Sequence, residues 1–225
     1  MAIPEWPEME RPREKLLDRG VHHLSNAELL AILFGSGTKG KSAVDLAREL
    51  LNQFVGLRGI FAASFEHFSA IPGLGLSKYC QCQAALELSR RHLEEPLRRE
   101  GEITEPEHIK HFIKAELRDH QQEVFACIFL DNRHRMITFE KLFYGTIDAT
   151  SIHPRVVVQR ALHHNAAAVI VAHNHPSGVA KPSQADRDIT NALKAALTII
   201  DVRLLDHLIV GDQRVTSFAE RGLLA

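Results

Sequence analysis

Apolar positions in the first part of the chain follow the three-to-four-residue spacing of amphipathic helices. This spacing extends from Leu24 to Leu97, and no segment in that stretch alternates as a strand would. Ser25 followed by Glu28 is typical of a capping box at a helix N-terminus. A longer helix is predicted from Ser77 to about His92. Residues 1–100 are therefore predicted to form a small all-helical domain.

The pattern changes after a charged segment, residues 91–103, which contains Pro96 and Gly101 and which we interpret as a linker. The predicted helices beyond it cover 105–117, 154–164 and 183–198, and the predicted strands cover 124–130, 136–143, 167–172 and 203–210. Short hairpins beside helices predict an α+β chain whose second domain, residues 103–225, has an α+β or three-layer α/β arrangement.

Composition and charge exclude several classes of protein. The chain has 225 residues, of which 45% are apolar and 24% are charged, as in an ordinary globular protein. Its net charge of −1 provides no general attraction to nucleic acid. The sequence has no apolar run near the ~20 residues of a spanning helix, and its N-terminus lacks the features of a signal peptide. Three cysteines are too few for a disulfide framework. We therefore expect a cytoplasmic protein without a membrane partner.

Two histidines and an aspartate near the end of the chain predict a metal site. His173 and His175 end an apolar strand, where residues two apart project from the same face. After seven intervening residues, Ser183 begins a helix whose first turn contains Asp186. Each feature alone has an ordinary explanation, because Ser-x-x-Asp also caps helices without a metal. Their combination favours a catalytic zinc site, in which two imidazoles and a carboxylate leave a fourth position for water.

The same segment resembles the signature of a known family. His-x-His, seven residues and Ser-x-x-Asp are similar to the signature of the JAMM (MPN-plus) metalloproteases, and His-Asn-His-Pro-Ser-Gly at 173–178 resembles their bacterial RadC branch. Further similarities lie at 12–15, 129–131, 145–146, 153–155 and 206–207, so that the resemblance extends over essentially the whole chain.

This resemblance implies a fold and an activity. The fold is a cytidine-deaminase-like three-layer α/β domain with a mixed sheet. The activity is zinc-dependent amide hydrolysis, as in a metallopeptidase or an isopeptidase, on an unidentified protein or peptide. One Zn²⁺ per chain is implied, bound by His173, His175 and Asp186, with the Ser183 hydroxyl hydrogen-bonding the tetrahedral intermediate.

The resemblance also implies a glutamate, before an apolar strand, that takes the proton from zinc-bound water. Glu123 directly precedes the run Val124–Leu130, whereas Glu140 lies in the predicted return strand. We predict Glu123 as the base because of this order, and Glu140 is the alternative. His207 and His153 are assigned to neither the metal nor the base, and His207, in an apolar strand, is predicted to lie in the core or to support a ligand.

The segment from Gly35 to Ser42 satisfies the Walker A pattern of nucleotide-binding proteins. A phosphate-binding loop follows a strand, yet Glu28–Phe34 is predicted to be helical, and no parallel strands are predicted in this half of the chain. We therefore predict that the segment connects two helices and does not bind a nucleotide.

A second glycine-rich segment, Ile71–Gly75, lies in a stretch (about 64–92) that resembles a helix-hairpin-helix motif. Such hairpins present backbone N–H groups to a DNA phosphate, and Gly73, Gly75 and Lys78 are the residues predicted to do so. A DNA-associated repair or recombination accessory protein is therefore the alternative function.

Two observations weaken the DNA prediction. Tyr79 departs from the motif, which has a small residue there. Residues 1–100 contain thirteen basic and thirteen acidic side chains, so no excess of positive charge supports a phosphate contact. A turn between packed helices is the other interpretation of this segment.

Overall fold

The computed structural model describes residues 3–98, 106–145 and 152–224. The chain divides into two compact units, Met1–Ser89 and Arg90–Ala225. The first is helical and the second combines helices with a sheet, which confirms the predicted α+β class. The predicted domain boundary, between residues 100 and 103, lies outside the described residues.

The first unit is built on short helices joined by tight turns. Leu30 and Phe34 from one helix pack with Leu46 and Leu50 from the next in a buried cluster. Its helices are α1 (Pro12–Arg19), α2 (Asn26–Phe34), α3 (Ala43–Gln53), α4 (Leu57–Ala62), α5 (Phe65–Ser69) and the start of α6 (Leu76–Arg98), with 3₁₀ turns at Ile3–Glu5, Glu8–Glu10 and Val21–His23.

The Walker-like segment connects α2 to α3. Gly35 ends α2 with a φ of +72°, and Ser42 caps α3 through a capping box with Asp45. Between them, Thr38 and Lys41 exchange backbone hydrogen bonds of 3.0 Å in a tight turn, and Lys41 pairs with Glu49. The segment follows a helix and its lysine is ion-paired, so the structure agrees with a helix connection.

Helix α6 is longer than predicted. The predicted helix ended near His92, and residues 91–103 were interpreted as a linker, but α6 continues to Arg98 with Pro96 inside it. Leu97 explains the difference. It belongs to the second unit, where its side chain is 2% exposed and packs with the other apolar side chains of that unit. Burial of this leucine compensates for the backbone hydrogen bond that a proline removes.

The second unit contains a mixed five-stranded sheet in the order β2-β1-β3-β4-β5. Strand β1 is antiparallel to β2 and β3, β3 is parallel to β4, and β4 is antiparallel to β5. The elements of this unit are α7 (Pro106–Leu117), β1 (Val124–Leu130), β2 (Met136–Tyr144), α8 (Pro154–His163), β3 (Ala168–Asn174), α9 (Gln184–Thr198), β4 (Arg203–Val210) and β5 (Val215–Ser217).

Helices cover both faces of this sheet, which makes three layers. On one face, α7 packs against alternate side chains of β1, among them Ala126 and Ile128. On the other face, α8 and α9 pack against the intervening side chains, among them Phe125 and Cys127. Every residue of β1 and β3 is buried as a result, and this is why β1 is apolar throughout and β3 is apolar as far as Ala172. Within the described ranges, no helix is both long and apolar enough to cross a membrane.

Candidate metal centre

The two histidines of the predicted site lie at the C-terminal end of β3. His173 pairs with Phe125 of β1 on one side and with Ile209 of β4 on the other, so the centre of the sheet holds it rigidly. His175 follows just beyond the strand, where its N–H donates to the carbonyl of Val210 at 2.9 Å. Their imidazole rings lie together, with centroids 4.8 Å apart, as the strand alternation predicts.

The cap of α9 brings the carboxylate to these rings. Ser183 is the N-cap, and both its backbone N–H and its hydroxyl donate to Oδ2 of Asp186 at 2.7 Å. Asp186 N–H donates back to Ser183 Oγ at 3.1 Å. The other carboxylate oxygen, Oδ1, lies 3.1 Å from His173 Nε2. The carboxylate of Asp186 therefore accepts the hydrogen bonds of the helix cap through Oδ2 and faces His173 through Oδ1, while His175 Nε2 lies 3.7 Å from Oδ2.

The donor atoms of His173, His175 and Asp186 fit a single metal ion. One ligand atom from each lies within 4.8 Å of the others. His173 Nε2 is 2.9 Å from His175 Nε2, near the ~3.3 Å that separates ligands of a tetrahedral zinc ion. His175 Nδ1 lies 2.8 Å from the carbonyl oxygen of Val179, which can only accept, so the proton of this ring is on Nδ1 and the lone pair is on Nε2.

The carboxyl group of Asp186 is held in its charged form. Burial by itself raises its pKa, but the close contact with His173 and the hydrogen bonds from Ser183 outweigh burial and keep the pKa well below its ordinary value. A buried carboxylate beside imidazole nitrogens is the donor set that zinc takes in hydrolases.

His207 and Thr190 extend the cluster inwards. His207 Nε2 lies 2.8 Å from His173 Nδ1, and His207 Nδ1 lies 2.6 Å from Thr190 Oγ1. Burial lowers the pKa of His207 well below its ordinary value, so this ring is neutral. His207 thus supports a predicted ligand, which was one of its two expected roles. Sequence reasoning missed Thr190, although its position four residues after Asp186 places both on the same helix face.

Glu123 lies where a base could reach the cluster. Its carbonyl accepts from Gly145 N–H at 2.8 Å, so the β1–β2 ladder continues to this residue. Strand alternation places its side chain on the face of Phe125, which is also the face of His173. Continuing the Phe125–His173 register by two residues sets Glu123 opposite His175. Glu123 as the base stays a prediction, and this placement supports it.

Glu140, the alternative base, is engaged elsewhere. It pairs in register with Cys127, further along β1, and its carboxylate accepts from Nε of Arg160 at 2.7 Å and contacts His164 Nε2 at 2.8 Å. The hydrogen bond from Arg160 holds the pKa of Glu140 below its ordinary value. A carboxylate committed to a guanidinium group is a poor proton acceptor, so the structure favours Glu123.

Asn174, between the two histidines, ties the segment of Glu123 to β3. It is 1% exposed, and its Oδ1 accepts from Val124 N–H at 2.8 Å. Its Nδ2 donates to the carbonyls of His120 and Gln122, both at 3.1 Å. These three hydrogen bonds hold the backbone on both sides of Glu123.

Asn174→Leu tests the contribution of these hydrogen bonds to stability. The substitution leaves three backbone groups unpaired beneath a side chain of similar size, so we expect the free energy of unfolding of the metal-free chain to fall by about 2–4 kcal/mol. Urea unfolding measures the change. Asn191→Leu, at an exposed position of α9, is the matched control and should change stability by no more than about 0.5 kcal/mol. Equal stability of the two variants would contradict a stabilising role for the Asn174 hydrogen bonds.

The three residues predicted to contact DNA lie in the first unit. Gly73 has a φ of +92°, and a Cβ there would lie 1.9 Å from the Thr38 methyl group, so packing accounts for this glycine. Gly75 is exposed and Lys78 is half-buried at the start of α6. Tyr79 packs edge-on against Phe65 and Phe68, with ring centroids 5.4 and 5.5 Å away. The unexpected tyrosine is therefore an element of the helical core.

Comparison with known proteins places the chain in a family. Residues 103–223 match the model of the RadC-like JAB domain, and residues 3–80 match that of the UPF0758 N-terminal domain. The chain belongs to the RadC-like JAB-domain family, which confirms the resemblance seen in its sequence.

Full-length relatives support this assignment. A UPF0758 protein of Nitrosococcus oceani is 59% identical over 224 residues, and one of Thioalkalivibrio sulfidiphilus is 60% identical, each match covering all of both chains. A UPF0758 protein of Coxiella burnetii is 55% identical over the same length. These names describe a family and specify no reaction.

Proposed function

We propose that this protein is a zinc-dependent metallohydrolase that cleaves an amide bond in a protein or peptide, as a metallopeptidase or an isopeptidase does. One observation supports the proposal: His173 Nε2, His175 Nε2 and Asp186 Oδ1 lie as close together as the ligands of one metal ion. The carboxylate of Asp186 is ionised and is held by the helix cap. Three protein ligands suit a catalytic site, because a fourth position stays open.

The roles of the residues follow from their positions. Zinc at this site would supply Lewis acidity, which lowers the pKa of water and polarises the scissile carbonyl. Glu123 would accept the proton of the attacking water and return it to the leaving amine. The exposed Ser183 would donate a hydrogen bond to the oxyanion of the tetrahedral intermediate.

The cap constrains this last role. The only hydroxyl proton of Ser183 now goes to Asp186 Oδ2. To reach an oxyanion, the hydroxyl has to rotate away from the carboxylate. The backbone N–H of Ser183 keeps its own bond to Oδ2 and holds the ligand in place.

Metal analysis of the full chain tests the proposal. We expect about one zinc per chain after purification under metal-replete conditions. The double variant His173→Ala/His175→Ala should lose it, because the remaining carboxylate is a single ligand. His22→Ala/His23→Ala removes two exposed histidines of the first unit and should retain the metal. A parent chain without stoichiometric zinc would overturn the proposal.

DNA contact through Gly73, Gly75 and Lys78 stays a prediction and is not part of this proposal. The packing of Gly73 against Thr38 explains the glycine without a ligand. The balance of thirteen basic and thirteen acidic side chains in residues 1–100 offers no electrostatic footprint.

A further inference from the structure

A continuous chain of hydrogen bonds joins two of the proposed ligands through the interior. It runs from the backbone carbonyl of Asp186 to Thr190 Oγ1 at 2.5 Å, then to His207 at 2.6 Å and to His173 Nδ1 at 2.8 Å. A carbonyl oxygen only accepts, so the hydroxyl proton of Thr190 must point to it. The hydroxyl oxygen is then left to accept from His207 Nδ1–H.

The donor and the acceptor of every other hydrogen bond in this series follow. A neutral imidazole has one donor and one acceptor nitrogen. Because His207 donates through Nδ1, its Nε2 accepts, and the donor must be His173 Nδ1–H. His173 then carries its lone pair on Nε2, the atom that faces His175 and the carboxylate of Asp186.

The surroundings of His207 prevent its ring from turning over. It is fully buried, and Phe125 and Phe218 lie against it with ring centroids 5.8 and 4.8 Å away. The orientation of the ring is therefore set by packing, and the position of its proton is set by Thr190.

We propose that Thr190 and His207 are positioning residues that hold His173 in the one tautomer able to bind zinc through Nε2. This inference rests on the proposed zinc site. Its physical basis is that a ligating imidazole needs its second nitrogen protonated and hydrogen-bonded, which sets both the tautomer and the ring angle. Here the acceptor is a second imidazole, whose own tautomer has to be set by a threonine.

Thr190→Val is the direct test, because valine has the shape of threonine without the hydroxyl. His207 would then be free to carry its proton on Nε2 and to donate to His173, and this moves the proton of His173 onto the ligand atom. We expect the zinc dissociation constant, measured by chelator competition, to rise about 10–100-fold. Thr190→Ser restores a hydroxyl and should bind zinc within about threefold of the parent.

A threonine on the same helix provides the matched control. Thr198 Oγ1 makes the same kind of bond to a carbonyl four residues back, that of Lys194 at 2.7 Å, and it is exposed. Thr198→Val should leave zinc affinity unchanged. Circular dichroism of all variants verifies that each is folded before its affinity is compared.

The tautomers can also be read directly without metal. In ¹⁵N histidine spectra of the metal-free full chain, above the ordinary pKa of histidine, we expect His173 to carry its proton on Nδ1 in the parent and in Thr190→Ser. In Thr190→Val we expect it on Nε2. An Nε2–H proton on His173 in the parent, or equal zinc affinities for the valine and serine variants, would overturn the inference while the zinc site stands. A parent chain that binds no zinc would instead overturn the proposed function.

Discussion

Replacing Glu123 with glutamine is expected to slow amide hydrolysis by the zinc-loaded chain about 10²–10⁴-fold and to leave its zinc content unchanged. The amide keeps the size of the side chain but cannot accept a proton from water. Because Glu123 is not among the converging donor atoms, the metal should stay. Rates are measured on an internally quenched peptide library, since the substrate is unidentified.

Glu140→Gln is the matched control for this variant. Glu140 is bound to Arg160 and His164 and not to the cluster, so its replacement should lower thermal stability and leave the hydrolysis rate close to that of the parent. The reverse outcome, loss of hydrolysis in Glu140→Gln alone, would assign the base to Glu140. The zinc-loaded Glu123→Gln chain can also capture bound substrate proteins for identification.

Asp186→Asn is expected to weaken zinc binding by more than about a hundredfold. Structural zinc sites contribute about 10–16 kcal/mol over four ligands, so one charged ligand accounts for roughly 3 kcal/mol, and a neutral amide recovers little of it. Asparagine still has an oxygen to accept from Ser183 N–H, so the helix cap survives. Chelator competition on the full chain measures the loss.

Asp188→Asn separates this effect from general loss of charge. Asp188 lies on the same helix, is exposed, and accepts only from Gln184 Nε2 at 2.8 Å among the bonds that the structure describes for it. It should bind zinc as the parent does. If both variants bound zinc equally well, Asp186 would not be a ligand.

Part of this protein could be predicted from its sequence because the information is local. A capping box joins residues three apart, so Ser25 with Glu28 marked the start of α2, and Ser183 with Asp186 marked the start of α9. Strand alternation has a period of two, so His173 and His175 were placed on one face before the sheet was known.

Other features depended on contacts between distant parts of the chain. The end of α6 could not be predicted, because Pro96 favours a break locally and only the burial of Leu97 keeps the helix going. The same holds for the two glutamates. Both lie at strand positions, and only the contacts with Arg160 and His164, 20 and 24 residues away in sequence, show that the carboxylate of Glu140 is engaged.

The sequence by itself determined the family and the candidate ligand set, because the three candidate residues lie within two short segments whose geometry follows from a strand end and a helix cap. Only the tertiary structure decided how those candidate ligands are held. Asn174 reaches 52 residues back to the carbonyl of Gln122. His207 comes from a neighbouring strand to meet Thr190 and His173. Hydrogen bonds between elements leave no periodic trace in the sequence, so supporting residues of this kind become visible only once the sheet and its helices are assembled.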